Sequence, residues 1–350
     1  MISNYKSFKA AILIKQDQPL IVDEVQLPSS LHVGQVLVKV HVSGICGSQL
    51  GEISGAKGND PYLPHLLGHE GCATVLEIGP GVKHLRPNDL VVLHWRKGAG
   101  IESEPPKYYW ENKQINAGWV TTFNSHAVVS ENRCTKIPKE TNHELAAMFG
   151  CAITTGFGVV ENNAGLRMGE SVVVFGAGGI GLNIIQASRL SSAYPIIAVD
   201  LFDNRLNLAK KIGATHLINS SNKDAFEAIS DILKERELDV FIDNTGVPEI
   251  IELGYKLTHS KGKVILVGVP RKGNDIRIHS LPLHFGKIIH GSHGGEIQPE
   301  IDIHRYMNIF NNGLGEIDSL ITSHFDLDDI NEAIECMRSG ETSGRVMVRT

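Results

Sequence analysis

The sequence has no apolar stretch long enough to span a bilayer, no block of positive charge and no close-set group of cysteines. The first absence argues against a membrane-spanning helix, which needs about 20 consecutive apolar residues. A net charge of −6 argues against nucleic acid or an anionic membrane surface as the main partner, since both are bound through excess Lys and Arg. The cysteines are Cys46, Cys72, Cys134, Cys151 and Cys336, an odd and scattered set that supports no disulfide framework. In a reducing compartment such thiols are core filler, metal ligands or nucleophiles. The opening residues Met1 to Lys6 read as neither a secretory nor a transit peptide, so the expected location is the cytoplasm. Internal repeats and low-complexity tracts are also missing. What is present, 42% hydrophobic and 21% charged residues, is the balance of a soluble globular chain, and 350 residues suffice for two domains with their own cores.

The two parts differ in pattern. Through about residue 130 the chain reads as mainly β. Phe8–Ile14 is apolar, and Gln35–Ser43 alternates with Val36, Val38, Val40 and Val42 on one face, which predicts an antiparallel sheet with one wet side. Further strands are expected at 73–78, 90–93 and 125–129. From about 153, strands and helices alternate, as in a doubly wound α/β domain. Strands are expected at 240–242, 264–267 and 288–290. Helices are expected to begin near Pro299 and Asp328, with a last strand at 345–348.

The second part is organised around residues 171–200. A β-branched run, Ser171 to Phe175, enters Gly176-Ala177-Gly178-Gly179-Ile180-Gly181, then a helix-like stretch and a second apolar run that ends on Asp200. This is the order of a dinucleotide-binding turn. Gly176 makes the tight turn, Gly178 lets backbone approach a pyrophosphate, and Gly181 lets the helix pack on the strand. Free amides at that helix start, Gly179 and Ile180 among them, suit phosphate. Asp200 stands where an acid accepts a ribose hydroxyl and repels a 2′-phosphate, which favours NAD over NADP; the alternative is a turn or helix-capping residue.

Three places carry metal-ligand types: Cys46 in a glycine-flanked turn, His69 with Glu70 in Gly68-His69-Glu70-Gly71, and Cys151 just before the second part. Two thiolates and an imidazole form a known catalytic zinc set that keeps a fourth position open. On spacing alone, packing remains the commoner role for such residues.

The motifs together resemble the zinc-dependent medium-chain alcohol dehydrogenase superfamily. They are GICGS at 44–48, GHEG at 68–71, GCAITTGFG at 150–158, FGAGGIG at 175–181, VDLFDNRLNLAKKIGAT at 199–215 and LITSHFDLDDINEAIECMRSGE at 320–341. The resemblance implies an α/β protein: a GroES-like, mainly-β catalytic domain over 1–152, completed by 295–350, and a doubly wound Rossmann-type NAD-binding domain over 153–294. It implies one catalytic zinc on Cys46, His69 and Cys151, with Glu70 close behind. Ser48 falls where the family takes the proton of the substrate hydroxyl; the alternative is a turn residue that satisfies its own backbone. Thr155 and Val269 match positions at the nicotinamide. Arg205 matches one near the adenosine ribose, or is a solvated helix charge. Arg345 matches a residue that reaches the pyrophosphate, and Trp95 one that walls the substrate pocket.

The chain also departs from the family. No cysteine lies between Cys72 and Cys134, so the lobe that holds a structural zinc in many members is not expected here. Residues 94–119 instead carry Trp95, Tyr108, Tyr109, Trp110 and Trp119, which either cover the pocket or a subunit contact or pack the loop's own core. Gln49 replaces the usual Asp behind the ligand histidine, where its amide oxygen is expected to accept the ring's hydrogen bond. Gly51 replaces a histidine that some members use to pass the proton outward. The expected function is hydride transfer between NAD(H) and an alcohol or carbonyl, with zinc as Lewis acid. The polar residues Arg96 and Lys97 favour a polyol or sugar derivative. The expected partners are a small-molecule substrate and copies of the same chain, as a dimer or tetramer, with neither nucleic acid nor membrane. The alternatives are a zinc-independent NADPH-dependent reductase of the same superfamily and a non-enzymatic NAD-binding regulator.

Overall fold

A computed structural model describes residues 6–340 and 342–350. The first five residues, read above for a leader, and Glu341 of the last motif lie outside the described residues. Among the described residues no helix is long and apolar enough to cross a membrane.

Six parallel strands form the second part's sheet, in the spatial order His216–Asn219, Ile196–Asp200, Val172–Phe175, Leu238–Asp243, Thr258–Leu266, Ile288–Gly291. The chain thus starts in the middle, works outward to one edge, and returns to build the other, which is the Rossmann order. Strands such as Val172–Phe175 are fully buried because helices cover both faces. The covering helices follow local signals. Asp203–Ile212 buries Leu206, Leu208, Ala209 and Ile212, carries Lys210 and Lys211 in its last turn, and stops at Gly213. Ala225–Leu233 is capped by the Asp224 side chain, which accepts from Glu227 N–H at 2.9 Å.

The mainly-β part has two sheets. One runs His65–Leu66, Ser7–Leu13, Ile21–Gln26, Tyr108–Trp110, Lys113–Ile115. The other runs Cys134–Ile137, Leu90–His94, Glu70–Ile78, Gln35–Gly44, Arg345–Arg349, Ile321–Asp326, with His126–Ser130 also paired to Gln35–Gly44. The late strand Arg345–Arg349 lies antiparallel to the early one, with Met347 opposite Gly44 and Val348 opposite Ser43. Ile45 N–H donates to the Val346 carbonyl at 3.0 Å, so the residue before Cys46 is held by the chain's final strand.

Two expectations are corrected here. Gln35–Gly44 buries Val36, Val38 and Val40 in one apolar cluster, and its other face is wet only in the middle: Lys39 is exposed and His41 half-buried, while Leu37 enters a second cluster. The strand is central, so the expected wet side is narrowed to its middle. The aromatic segment 94–119 is not one loop. Tyr108–Trp110 and Lys113–Ile115 form a hairpin turned through Glu111 and Asn112, both at positive φ (48° and 59°). Tyr108 is buried in the first sheet's core, its hydroxyl accepting from Val128 N–H at 2.7 Å, and Trp110 donates to Asp23. Trp119 packs beneath the Arg133 guanidinium, while the Trp95 ring meets the His69 ring.

The glycine turn carries the tightest packing of the second part. Gly176 has φ +92°, and a Cβ on Gly181 would stand 1.9 Å from the Gly176 carbonyl oxygen. Gly181→Ala is therefore expected to overpack the strand–helix junction, costing about 1–3 kcal/mol. Thermal unfolding should show a lower midpoint, and cofactor titration a weakened or lost signal.

Candidate metal centre and cofactor cleft

Cys46 immediately precedes the helix Gly47–Ile53, and Cys151 immediately precedes the helix Ala152–Gly158. His69 stands between the short strand His65–Leu66 and the long strand Glu70–Ile78. The fold brings one ligand atom of each residue within 4.8 Å of the others. Both thiols are buried and His69 is half-buried. His69 Nε2 is buried and has no hydrogen-bond partner among the described residues. Cys151 donates to Cys46, which lowers the Cys46 pKa well below the ordinary thiol range, while the same contact and burial raise that of Cys151. Ionisation of one thiol thus makes the other harder to ionise, and two adjacent buried thiolates would call for a cation between them. Burial disfavours a charged His69, yet the Cys46 thiolate and Glu70 raise its pKa. Two soft sulfurs and an orphaned imidazole nitrogen fit a zinc ion.

Behind the ligands lies a buried ion pair. Arg345 Nε donates to Glu70 Oε1 at 2.6 Å and Nη2 lies 2.5 Å from Oε2, with the two side chains 3% and 0% exposed. Glu70 Oε2 also accepts from Ala152 N–H at 3.2 Å. Burial raises the Glu70 pKa and Arg345 opposes that rise; Arg345 in turn is held charged by Glu70 against its own burial. Gly44 makes the room, since a Cβ there would stand 1.7 Å from Glu70 Oε1. The third Arg345 nitrogen, Nη1, lies 3.0 Å from where a Cβ on Gly179 would be, at the start of the Rossmann helix. Arg345 therefore spans the two parts of the site.

Gln49 works differently from expectation. Its amide oxygen accepts from Cys46 N–H at 2.7 Å, and its amide nitrogen faces His69 Nδ1. A histidine that ligates through Nε2 carries its hydrogen on Nδ1 and needs an acceptor there. Two donors, Cys46 N–H and His69 Nδ1–H, then compete for one oxygen, where a carboxylate would offer two.

The remaining candidates surround this centre. Ser48 lies in the first turn after Cys46, and its buried Oγ has no hydrogen-bond partner among the described residues, so it does not satisfy its own backbone. The Trp95 ring meets the His69 ring edge-on with centroids 6.4 Å apart. Thr155 is buried in the helix after Cys151. Asp200 ends its strand with Oδ2 accepting from Ala177 N–H at 2.7 Å and Oδ1 from Phe202 N–H at 3.1 Å. Arg205 lies 3.8 Å from Asp200 Oδ1, is packed over the Phe202 ring, and donates to the Thr342 carbonyl. A cleft of about 460 Å³ is lined by Leu50, Gly51 and Ser54 on one side and by Thr245, Val269 and Asn274 on the other. The sequence reading missed Thr245 and Gly246, whose amides are drawn onto the buried Asp243 carboxylate. An acid at a strand end followed by Asn-Thr-Gly was the available signal. Of the other histidines nearby, His65 pairs with Asp60 and His94 is buried against Thr135, its pKa lowered by burial to about 4. His293 stands beside Trp95. Cys72 is core, its thiol pushed up to about 12 by burial.

Comparison with known proteins places this arrangement. Residues 32–139 match the alcohol dehydrogenase GroES-like domain, and residues 179–310 match the zinc-binding dehydrogenase family. S-(hydroxymethyl)glutathione dehydrogenase of Paracoccus denitrificans is 30% identical over 375 residues, covering 97% of this chain and 99% of that protein. The chain belongs to the zinc-dependent alcohol dehydrogenases. It is accordingly a zinc-dependent oxidoreductase that moves hydride between a nicotinamide cofactor and a small alcohol or carbonyl compound. Among solved structures, benzyl alcohol dehydrogenase from Acinetobacter calcoaceticus is 28% identical with a TM-score of 0.88, covering 99% of both chains. An alcohol dehydrogenase zinc-binding domain protein from Burkholderia ambifaria is 29% identical with the same TM-score, covering 98% of both.

Two outcomes are expected of this dehydrogenase. Arg345→Met leaves the Glu70 charge buried alone and should lower stability by about 3–5 kcal/mol in urea denaturation. Gln49→Asp supplies the second acceptor and should tighten zinc retention against a chelator by roughly 10–100-fold.

Proposed function

We propose that the chain interconverts a hydroxyl and a carbonyl on a polar substrate, a polyol or sugar derivative, with NAD as hydride carrier. One zinc per chain would be held by Cys46, His69 and Cys151. The observation that carries this reading is the convergence of those three ligand atoms with the unpartnered Ser48 Oγ two residues from the first of them. Zinc bound there supplies Lewis-acid polarisation of the substrate oxygen. Ser48 Oγ accepts the substrate's hydroxyl proton, Trp95 walls the pocket, and Glu70 sets the charge behind the ligands. Thr155 and Val269 flank the nicotinamide.

On the adenosine side, the turn from Gly176 through Gly178, Gly179 and Ile180 to Gly181 cradles the pyrophosphate, and Arg345 Nη1 is within reach of it. Asp200 receives the ribose hydroxyls and repels a 2′-phosphate. Arg205, held between Phe202 and Thr342, positions that carboxylate more than it offers a phosphate site. Relatives named for S-(hydroxymethyl)glutathione and benzyl alcohol support alcohol oxidation as the reaction class. The same reading divides the chain into a catalytic domain of 1–152 plus 295–350 and a cofactor domain of 153–294. It places the protein in the cytoplasm as a dimer or tetramer.

Elemental analysis of metal-replete protein is expected to give one zinc per chain, lost in Cys46→Ala; no zinc in the wild type would overturn the ligand assignment. Ser48→Ala is expected to lower kcat by roughly 10²–10⁴-fold with zinc content kept. Comparing NAD with NADP over a panel of polyols and sugars should show NAD preferred, and Asp200→Asn should narrow that preference.

A further inference from the structure

Beside the metal centre stands a cation with no counter-charge. The strand Leu90–His94 is paired so that His94 lies opposite Glu70, and the chain leaves it next to His69 through Trp95 and Arg96. The Arg96 guanidinium lies 5.8 Å from the centre of the Trp95 ring, the same ring that meets His69. One of its nitrogens donates to His293 Nδ1, and the His293 ring abuts Trp95 with centroids 4.9 Å apart. The backbone at Gly294 closes against both side chains, since a Cβ there would stand 2.5 Å from the Trp95 ring and 2.9 Å from the Arg96 stem. The guanidinium is thus oriented by an aromatic face, an imidazole and a packed backbone.

The charges around it are spoken for. Among the described residues no carboxylate lies within ion-pair distance of Arg96. Glu102 holds Arg133 at 3.0 Å and Lys97 at 3.7 Å. Glu296 accepts from His293 N–H at 2.8 Å and from Asn163, and Glu300 faces Gly98. Arg96 itself is half-buried, and its Nε is buried without a partner. A cation oriented, partly desolvated and unneutralised is costly unless something supplies the negative charge. The planar guanidinium has donors left over after His293, in the fork geometry that grips a carboxylate or phosphate at two points.

We propose that Arg96 is the specificity residue of this site and that it binds an anionic group, a carboxylate or phosphate, carried by the substrate whose hydroxyl reacts at the metal. This rests on the oxidoreductase reading above and narrows its substrate class to hydroxy acids and phosphorylated or acidic polyols. Arg96 sets which molecule is held, and Ser48 and the metal ligands act on its hydroxyl.

The zinc-loaded full chain, with NAD, tests this on matched pairs: 4-(hydroxymethyl)benzoate against benzyl alcohol, and glycerol 3-phosphate against glycerol. The anionic member of at least one pair should have the higher kcat/KM, and which pair responds separates carboxylate from phosphate. In Arg96→Gln the anionic-to-neutral ratio should fall by roughly 10–100-fold, as expected for loss of a charge-assisted hydrogen bond, and through KM more than kcat. Arg96→Lys should restore part of it. A ratio unchanged in Arg96→Gln overturns the inference while leaving the oxidoreductase reading intact, whereas a chain without zinc and without NAD reduction fails that reading itself. If neither pair turns over, calorimetry of benzoate and inorganic phosphate on the zinc-loaded NADH complex decides. Binding that Arg96→Gln abolishes supports the inference; absent or unaltered binding overturns it.

Discussion

The site depends on one buried ion pair. Glu70 and Arg345 are removed from water almost completely, and a lone charge at either position would be costly, so each side chain requires the other. The pair does more than neutralise itself. Glu70 belongs to the strand that follows the ligand histidine, Arg345 to the last strand of the sheet, and the Ala152 amide that Glu70 also accepts opens the helix after Cys151. Through those contacts one carboxylate ties the segments that carry His69 and Cys151 to the start of the Rossmann helix at Gly179.

The ligand cage itself is governed by a shortage of positive charge and of acceptors. Two buried thiols lie side by side, ionisation of one opposing ionisation of the other, and the His69 Nε2 beside them has no hydrogen-bond partner among the described residues. Around it Gln49 provides one acceptor for two donors. The family pattern would place a second oxygen here, so this chain holds its histidine with less negative charge behind it. For a zinc held by His69, that exchange would mean a softer hold and a more electrophilic centre.

Much of the layout was legible in the sequence because it rests on local patterns. The β-branched run before Gly176, the acid at Asp200, and the helix stopped by Gly213 declare themselves within a few residues. The aromatic hairpin was hidden because its turn uses Glu111 and Asn112 rather than Asn-Gly, and its register is set by a distant strand. The second cluster that Leu37 enters escaped because alternation reports one face and is silent about what covers the other. The partners of Glu70 and Arg96 escaped for a different reason. Arg345 and His293 lie far away along the chain, and nothing in a window of sequence records such a meeting.

The antiparallel seam between Gln35–Gly44 and Arg345–Arg349 also bears on how the protein is made. A ribosome delivers the chain in order, and domains generally fold as units while it does so. The Rossmann sheet can therefore close before the strand that carries Arg345 exists. The early strands must wait, with the Ile45 amide unpaired and the Glu70 carboxylate without its counter-charge, until that late segment emerges. The surroundings of Cys46 and Glu70 thus reach their full form only on a chain whose Rossmann part has already been synthesised.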